Sequence, residues 1–327
     1  MIPRIRFAHL PTPIEPLPRL SKALGGPHLL VKRDDQTGLA FGGNKTRKLE
    51  FLVAEAQAAG ADTLITAGAL QSNHCRQTAA AAAKFGFDCI LVLVGEPPDR
   101  VSANLLLDQL FGAKIIWAGK NHRDALLTDT SEKVLAQGRK PYLVPYGGSN
   151  STGALGYAFA MEEFVEQGLK SDWIIFASSS GGTQAGLVLG SHLFNYPGRL
   201  LGISVDEPQS VLQKRVAALA SETSGRLGPR VEFAADQVLV NADYATPGYG
   251  VLTDAERASI QLFARYEGLL LDPVYTGRAA AGLIDLIRKG FFKKEETVLF
   301  WHTGGQPALF AEKYGSLGIA AGPKIPE

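Results

Sequence analysis

The sequence predicts an α/β protein built on open parallel sheets and large enough for two lobes. Three observations carry this. Apolar, strand-like runs alternate with helical patterns along almost the whole chain. The runs are apolar throughout rather than alternating, as strands covered by helices on both faces must be. At 327 residues, the chain also exceeds the ~100 to 200 residues typical of one domain.

The opening stretch "MIPRIRFAHLPTPIEPLPRL" is broken by prolines and has no apolar centre, so it does not read as a signal peptide. In "FGGNKTRKLEF" (41–51) two glycines free the backbone to turn, Asn44 is a good helix cap, and a helix follows. "DTLITAG" then leads to a helix starting near Asn73, and "FDCILVLVG" to one around "SANLLLDQLF". "AKIIWAG" precedes a helix near "TSEKVLAQ", and "PYLVPYGG" precedes "GALGYAFAMEEFVEQ". The second half continues with "DWIIFASSSGG" before "TQAGLVLGSHLF", "RLLGISVD" before a further helix, and "ETVLFWHTGG" near the end. There is no fixed-period repeat and no low-complexity tail.

Composition narrows the function classes. With 33 basic and 32 acidic side chains, no net field favours nucleic acid or an anionic membrane. No apolar run approaches the ~18 residues of a membrane span. The two cysteines, Cys75 and Cys89, offer neither a disulfide framework nor a metal-ligand pair, which fits a reducing cytoplasm and a protein without a metal.

In open α/β sheets, ligands sit beyond the carboxyl ends of the strands. Three such loops here are rich in glycine and hydroxyl residues: "AGALQSNHC", "ASSSGGTQAG" and "HTGGQPA". In the second, Ser179, Ser180, Gly181, Gly182 and Thr183 would present amides and hydroxyls at a helix start, where anions bind. It lacks the P-loop ending and the dinucleotide spacing, so a single phosphate monoester is the better ligand. Read alone, it is equally a plain strand-to-helix turn. In the first loop, Ser72 or Asn73 would cap the helix while neighbouring amides receive a carboxylate, and His74 is either an acid–base group or a bystander. "LDPVYTGRAAAGL" sets Tyr275 just before a helix capped by Thr276. In "HTGGQPA", Thr303 and two glycines would admit a flat ring close to the backbone. Lys45, at a helix start that repels cations, is either a solvated surface lysine or an amine kept available as a base or Schiff-base partner. A lysine, a phosphate loop, a carboxylate loop and a hydroxyl facing a flat ring together describe pyridoxal phosphate with an amino acid attached.

The stretches "LVKRDDQTG", "GGNKTRKLEFL", "GADTLITAGALQSNHCRQTAA", "PYGGSNSTGALGY", "GTQAGL", "PGYGV", "LLLDPVYTGRAAAGLID" and "HTGGQPALF" span nearly the whole chain. They resemble the D-cysteine desulfhydrase and aminocyclopropane-carboxylate deaminase family, pyridoxal-phosphate enzymes of the tryptophan-synthase-β-like fold. The resemblance implies Lys45 as the Schiff-base lysine, Asn73 near the cofactor's ring hydroxyl, the Ser179–Thr183 loop on its phosphate, and Thr303 at the ring nitrogen. It also implies Ser72, Asn73, His74, Tyr249 and Tyr275 around a small amino-acid substrate, with Ser72 and Tyr275 joining Lys45 in catalysis, and a homodimer. A smaller α/β lobe over residues 48–158 is expected to be inserted into a larger one formed by 1–47 and 159–327.

Within the family, the deaminase branch has Glu after the active-site Tyr and Leu before the final Gly-Gly, where this chain has Thr276 and Thr303. That departure points to the desulfhydrase pattern, in which D-cysteine yields pyruvate, ammonia and hydrogen sulfide. A cysteate sulfo-lyase releasing sulfite shares the threonine pattern. The deaminase activity and a non-catalytic cofactor-binding protein are the remaining alternatives.

Overall fold

The computed structural model describes residues 2–119 and 123–318. A short strand, β1 (Ile14–Pro16), and a helix, α1 (Pro18–Leu24), precede β2 (His28–Lys32). Helix α2 (Asn44–Ala58) leads into β3 (Thr63–Ala69), α3 (Asn73–Phe85), β4 (Asp88–Val94) and α4 (Ala103–Leu110). Next come β5 (Lys114–Ala118), α5 (Arg123–Ala136), β6 (Pro141–Leu143) and α6 (Ser151–Glu166). The rest runs β7 (Trp173–Ser178), α7 (Gly182–Leu193), β8 (Arg199–Ser204), α8 (Gln209–Ser224) and β9 (Leu239–Asn241). It closes with α9 (Asp254–Glu267), α10 (Thr276–Arg288) and β10 (Thr297–Trp301).

These strands form two sheets. The larger has the order β1-β2-β10-β7-β8-β9 and the smaller β5-β4-β3-β6. Pairing is parallel throughout except that β1 runs antiparallel to β2. The proline-rich opening segment therefore does supply a strand, at an edge, where missing N–H donors are tolerated. Helix α9 also went unanticipated. Its signal was the Thr253/Glu256 pair, whose side chains cap one another's backbone in a capping box.

Each sheet has its own core. Leu29, Ile175, Phe263, Leu283 and Phe300 pack with the larger sheet. Leu49, Leu52, Val53, Leu64 and Leu91 pack with the smaller. Helix α2 thus belongs to the smaller sheet, whereas Tyr157, Met161 and Phe164 of α6 pack beneath the larger one with Phe176 and Trp301. The two helices nonetheless touch. A methyl group on Gly156 would lie 2.5 Å from the carbonyl oxygen of Arg47, so only glycine permits this approach. Positions 48 and 158 fall inside these two helices. Among the described residues, no helix is long and apolar enough to cross a membrane.

Candidate active site

The three glycine- and hydroxyl-rich loops leave β3 in the smaller sheet and β7 and β10 in the larger, and they converge on one cleft. Its lining includes Lys45, Ser72, Asn73, His74, Ser179, Ser180, Gly181, Thr183, Tyr275 and Thr303. Gly182 begins α7 directly behind that lining. Tyr249 meets the site through Tyr275, their hydroxyls 2.8 Å apart.

Lys45 is the second residue of α2. Desolvation brings its amine down to about 8, so a neutral amine is accessible near physiological pH. The helix start was the expected cause; burial is the larger one. Three residues on, Lys48 is fully buried, and burial followed by the charge of Lys45 holds its amine well below the usual range. The two amines are close enough for each to act on the other's protonation. Asn44 does not cap α2, whose N-cap is Gly43. Instead it rivets the helix start to the neighbouring loops. Its N–H donates to the Thr303 carbonyl at 3.0 Å, and its amide donates to Thr183 Oγ1 at 3.0 Å.

One face of α2 is anchored by a buried charge cluster. Arg47 donates to Asp34 (Nε–Oδ2 2.8 Å, Nη2–Oδ1 2.8 Å) and to Glu163 (Nη1–Oε2 2.8 Å). Lys32 donates to Glu163 Oε1 at 2.5 Å and to the Thr12 carbonyl at 2.8 Å, while the Tyr157 hydroxyl donates to Asp34 at 2.6 Å. Burial alone would raise the Asp34 carboxyl, but Arg47, Lys32 and the Tyr157 hydroxyl together outweigh it and hold the group at about 2. Two acids face two bases, so the cluster is internally neutral and orients the helix carrying Lys45.

The loop after β7 has room and donors to receive an anion. Gly181 takes a left-handed backbone (φ 88°) as the N-cap of α7, and no side chain of its own caps the helix. The hydroxyl of Ser149 accepts from Gly182 N at 3.2 Å and lies 2.8 Å from Ser180 Oγ. Lys48 Nζ donates to the Gly147 carbonyl at 3.1 Å and to Ser149 Oγ at 3.3 Å, which sets a second amine beside this loop. The sequence alone gives Lys48 no role in the site. The signal was available: positions 45 and 48 are i,i+3 on a helix and share a face. Tyr146 was also missed. It lines the cleft with the Arg123 guanidinium 4.7 Å above its ring.

Ser72 is the N-cap of α3 and accepts from Cys75 N at 3.1 Å, leaving the preceding amides of that turn for a ligand. His74 lines the cleft but is held neutral, by burial first and then by Lys45 and Lys48. Its Nε2 lies 2.9 Å from Thr66 Oγ1, whose own proton goes to the Val144 carbonyl. Thr276 was expected to cap α10. The structure assigns that role to Asp272, whose carboxylate accepts from the N–H groups of Val274, Tyr275 and Thr276 at 2.7–2.9 Å. The Thr276 hydroxyl also donates to Asp272 and is buried there, so it does not face the cleft. Thr303 differs, because its hydroxyl has no partner among the described residues. Beside it, Gly304 (φ 86°) and Gly305 (φ 104°) bring backbone close to the cleft. Added methyl groups there would lie 2.6 Å from Gly43 Cα and 2.9 Å from Asn73 Nδ2.

An amine lowered toward neutrality, a helix start with a glycine N-cap and a second amine beside it, and an unpartnered hydroxyl beside two glycines fit a phosphorylated flat ring carrying an aldehyde. Comparison with known proteins decides the matter: residues 5–304 match the family described as pyridoxal-phosphate dependent enzyme. The chain belongs to that family. Its members named D-cysteine desulfhydrase in Salmonella typhimurium and Salmonella typhi are each 46% identical to it over 320 residues, covering 94% of this chain and 96% of theirs. The crystal structure of an ACC deaminase homologue superposes with a TM-score of 0.89 at 40% identity, over 97% of this chain and 96% of the other. A hydrogen sulfide-producing enzyme from Fusobacterium nucleatum shares the fold, with a TM-score of 0.64 at 15% identity, over 90% of this chain and 96% of that one. The fold is that of the pyridoxal-phosphate enzymes with two open parallel sheets, and pyridoxal phosphate is the cofactor.

Proposed function

We propose that this pyridoxal-phosphate dependent enzyme is a carbon–sulfur lyase that converts D-cysteine and water to pyruvate, ammonia and hydrogen sulfide. The chemistry rests on Lys45, a cleft amine brought near neutrality between a phosphate seat and a carboxylate seat. The substrate reading is supported by the two desulfhydrases of Salmonella.

When bound, pyridoxal phosphate supplies an electron sink conjugated to the substrate's Cα. Lys48, the Ser179–Thr183 loop and the start of α7 hold its phosphate, with Asn73 and Thr303 at the ring. Ser72 and the start of α3 receive the substrate carboxylate. Lys45 Nζ takes the Cα proton, and the Cβ–S bond breaks with its electron pair leaving on sulfur. Burial raises the Tyr275 phenol well above its usual range, so it stays protonated and can hydrogen-bond the departing sulfur, with Tyr249 fixing its hydroxyl. The three-carbon enamine that remains hydrolyses to pyruvate and ammonia. Residues 48–158 act as the unit that closes on residues 1–47 and 159–327, excluding water, because the carboxylate and phosphate seats leave different sheets. The enzyme works in the cytoplasm, consistent with free, buried Cys75 and Cys89. It works as a homodimer, for which Leu106 and Leu110 on one face of α4, with Phe310 in the turn packed against that helix, offer apolar surface.

A substrate panel tests this. D-cysteine is expected to release sulfide and pyruvate, and Lys45→Ala to abolish both. Sulfite from cysteate at a higher rate would move the assignment to a sulfo-lyase. The 40% identical ACC deaminase homologue supports a second reading, and ketobutyrate from aminocyclopropane carboxylate at a comparable rate would establish it.

A further inference from the structure

Arg76, one turn into α3, is fully buried, yet no carboxylate lies in salt-bridge contact with it among the described residues. Its donors go to neutral oxygens: Nη1 to Asn73 Oδ1 at 3.0 Å and to Asn104 Oδ1 at 2.8 Å, and Nη2 to the Gly42 carbonyl at 3.0 Å. Of the two carboxyls whose charge reaches it, burial pushes Asp108 up to about 8 with neither oxygen partnered, and Asp272 is taken up by the N–H groups of Val274, Tyr275 and Thr276. An unpaired buried guanidinium is costly and calls for a reason beyond stability.

The reason lies in what Arg76 does to two amides. A guanidinium only donates, so the group turned toward it on Asn73 must be the oxygen. The same holds for Asn104, and that leaves Asn104 Nδ2 to donate to Asn73 Oδ1 at 3.0 Å and to the Gln71 carbonyl at 2.8 Å. Gln71 Oε1 in turn accepts from Asn104 N at 2.9 Å, which holds the start of α4 against the loop. The oxygen of Asn73 is thus filled by two donors. Its Nδ2 has no protein partner among the described residues and lies 2.9 Å from where a methyl group on Gly305 would stand, next to Gly304, which lines the cleft with Asn73. The site therefore meets Asn73 as a donor only.

We propose that Arg76 is a positioning residue that locks the polarity of the Asn73 amide, so that the bound cofactor's ring oxygen always meets an N–H and is held in its deprotonated form. The inference rests on the placement of the cofactor ring beside Asn73 proposed above. A glutamine at position 76 both donates and accepts, so it would let the Asn73 amide turn and present its oxygen.

The test is the absorption spectrum of the holoenzyme at fixed pH, read as the ratio of the yellow, deprotonated band of bound pyridoxal phosphate to its short-wavelength band. Arg76→Gln is expected to lower that ratio about tenfold, the scale of one lost hydrogen bond to a charged group. Asn73→Ala should lower it equally, and the double variant no further, because both act through one contact. If Arg76→Gln does not fold, Asn104→Ser, which removes the second donor to Asn73 Oδ1, should shift the ratio in the same direction. An unchanged spectrum in whichever of these two variants folds would overturn the proposal, as would effects of Arg76→Gln and Asn73→Ala that add in full. An unchanged spectrum in Asn73→Ala would overturn the ring placement itself and the proposal with it.

Discussion

At the scale of single residues, Lys45 is the most informative, because its neighbours decide its protonation. A lysine in water keeps its proton to about pH 10. Here desolvation brings the amine to about 8, with the buried Lys48 amine alongside it. Only the neutral amine attacks an aldehyde. The rate at which cofactor-free enzyme captures pyridoxal phosphate is therefore expected to climb as pH rises through about 8 and then level off. Stopped-flow absorption would show it, and a rate still climbing at pH 10 would mean that Lys45 behaves as an ordinary surface lysine. Lys45 itself was legible in the sequence because glycines and a helix start framed it. Thr276 was misjudged for a physical reason. A threonine at a helix start resembles a cap, and only the folded loop shows the Asp272 carboxylate already occupying that place.

At the scale of elements, the entry to α4 carries strain. Ala103 sits in the left-handed region at φ 52°, which costs a non-glycine residue ~1–2 kcal/mol. It does so next to Asn104, whose backbone and side chain are both bonded to Gln71. Ala103→Gly should relieve that strain and stabilise the enzyme by about 1 kcal/mol, seen as a rise of roughly 2 °C in Tm. A fall in Tm would mean that the tether to Gln71 does not depend on this conformation. The strand–helix alternation, by contrast, needed no folded structure to be read. Apolar strands buried on both faces leave a two-state pattern in the chain itself, and β3, β4, β7, β8 and β10 follow it. β1, α1, β2, β9 and α9 escaped, β1 because prolines mask it and β9 because three residues are too few to show a pattern.

At the scale of the whole molecule, the Arg47 cluster ties the opening segment, α2 and α6 together across the two sheets. Arg47→Ala would leave Asp34 and Glu163 buried without that partner, and a loss of ~3–5 kcal/mol is expected in denaturant unfolding. The acid limb gives a second reading. Asp34 titrates at about 2 when folded against 3.8 in its ordinary state, so its contribution is complete above pH 3.8 and is lost as pH falls toward 2. Arg47→Ala should accordingly move acid unfolding to higher pH, and an unmoved midpoint would place the acid sensitivity elsewhere. The proposed homodimer has its own test. Leu110, 70% exposed at the end of α4, is expected to lie in the interface, so Leu110→Glu should halve the mass measured by light scattering. An unchanged mass would move the interface off this face.

The sequence by itself determined the fold class and the cofactor and singled out residues that the structure gathers in one cleft, because these follow from local signals: periodicity, glycine and hydroxyl content in loops, and a lysine at a helix start. Tertiary structure alone decided what each polar group faces. The pairing of Lys45 with Lys48, the capture of Thr276 by Asp272, and the fixed amide of Asn73 all depend on side chains brought together by folding. Hydrogen-bond polarity and desolvation are properties of contacts and burial. A linear chain specifies both only through its fold.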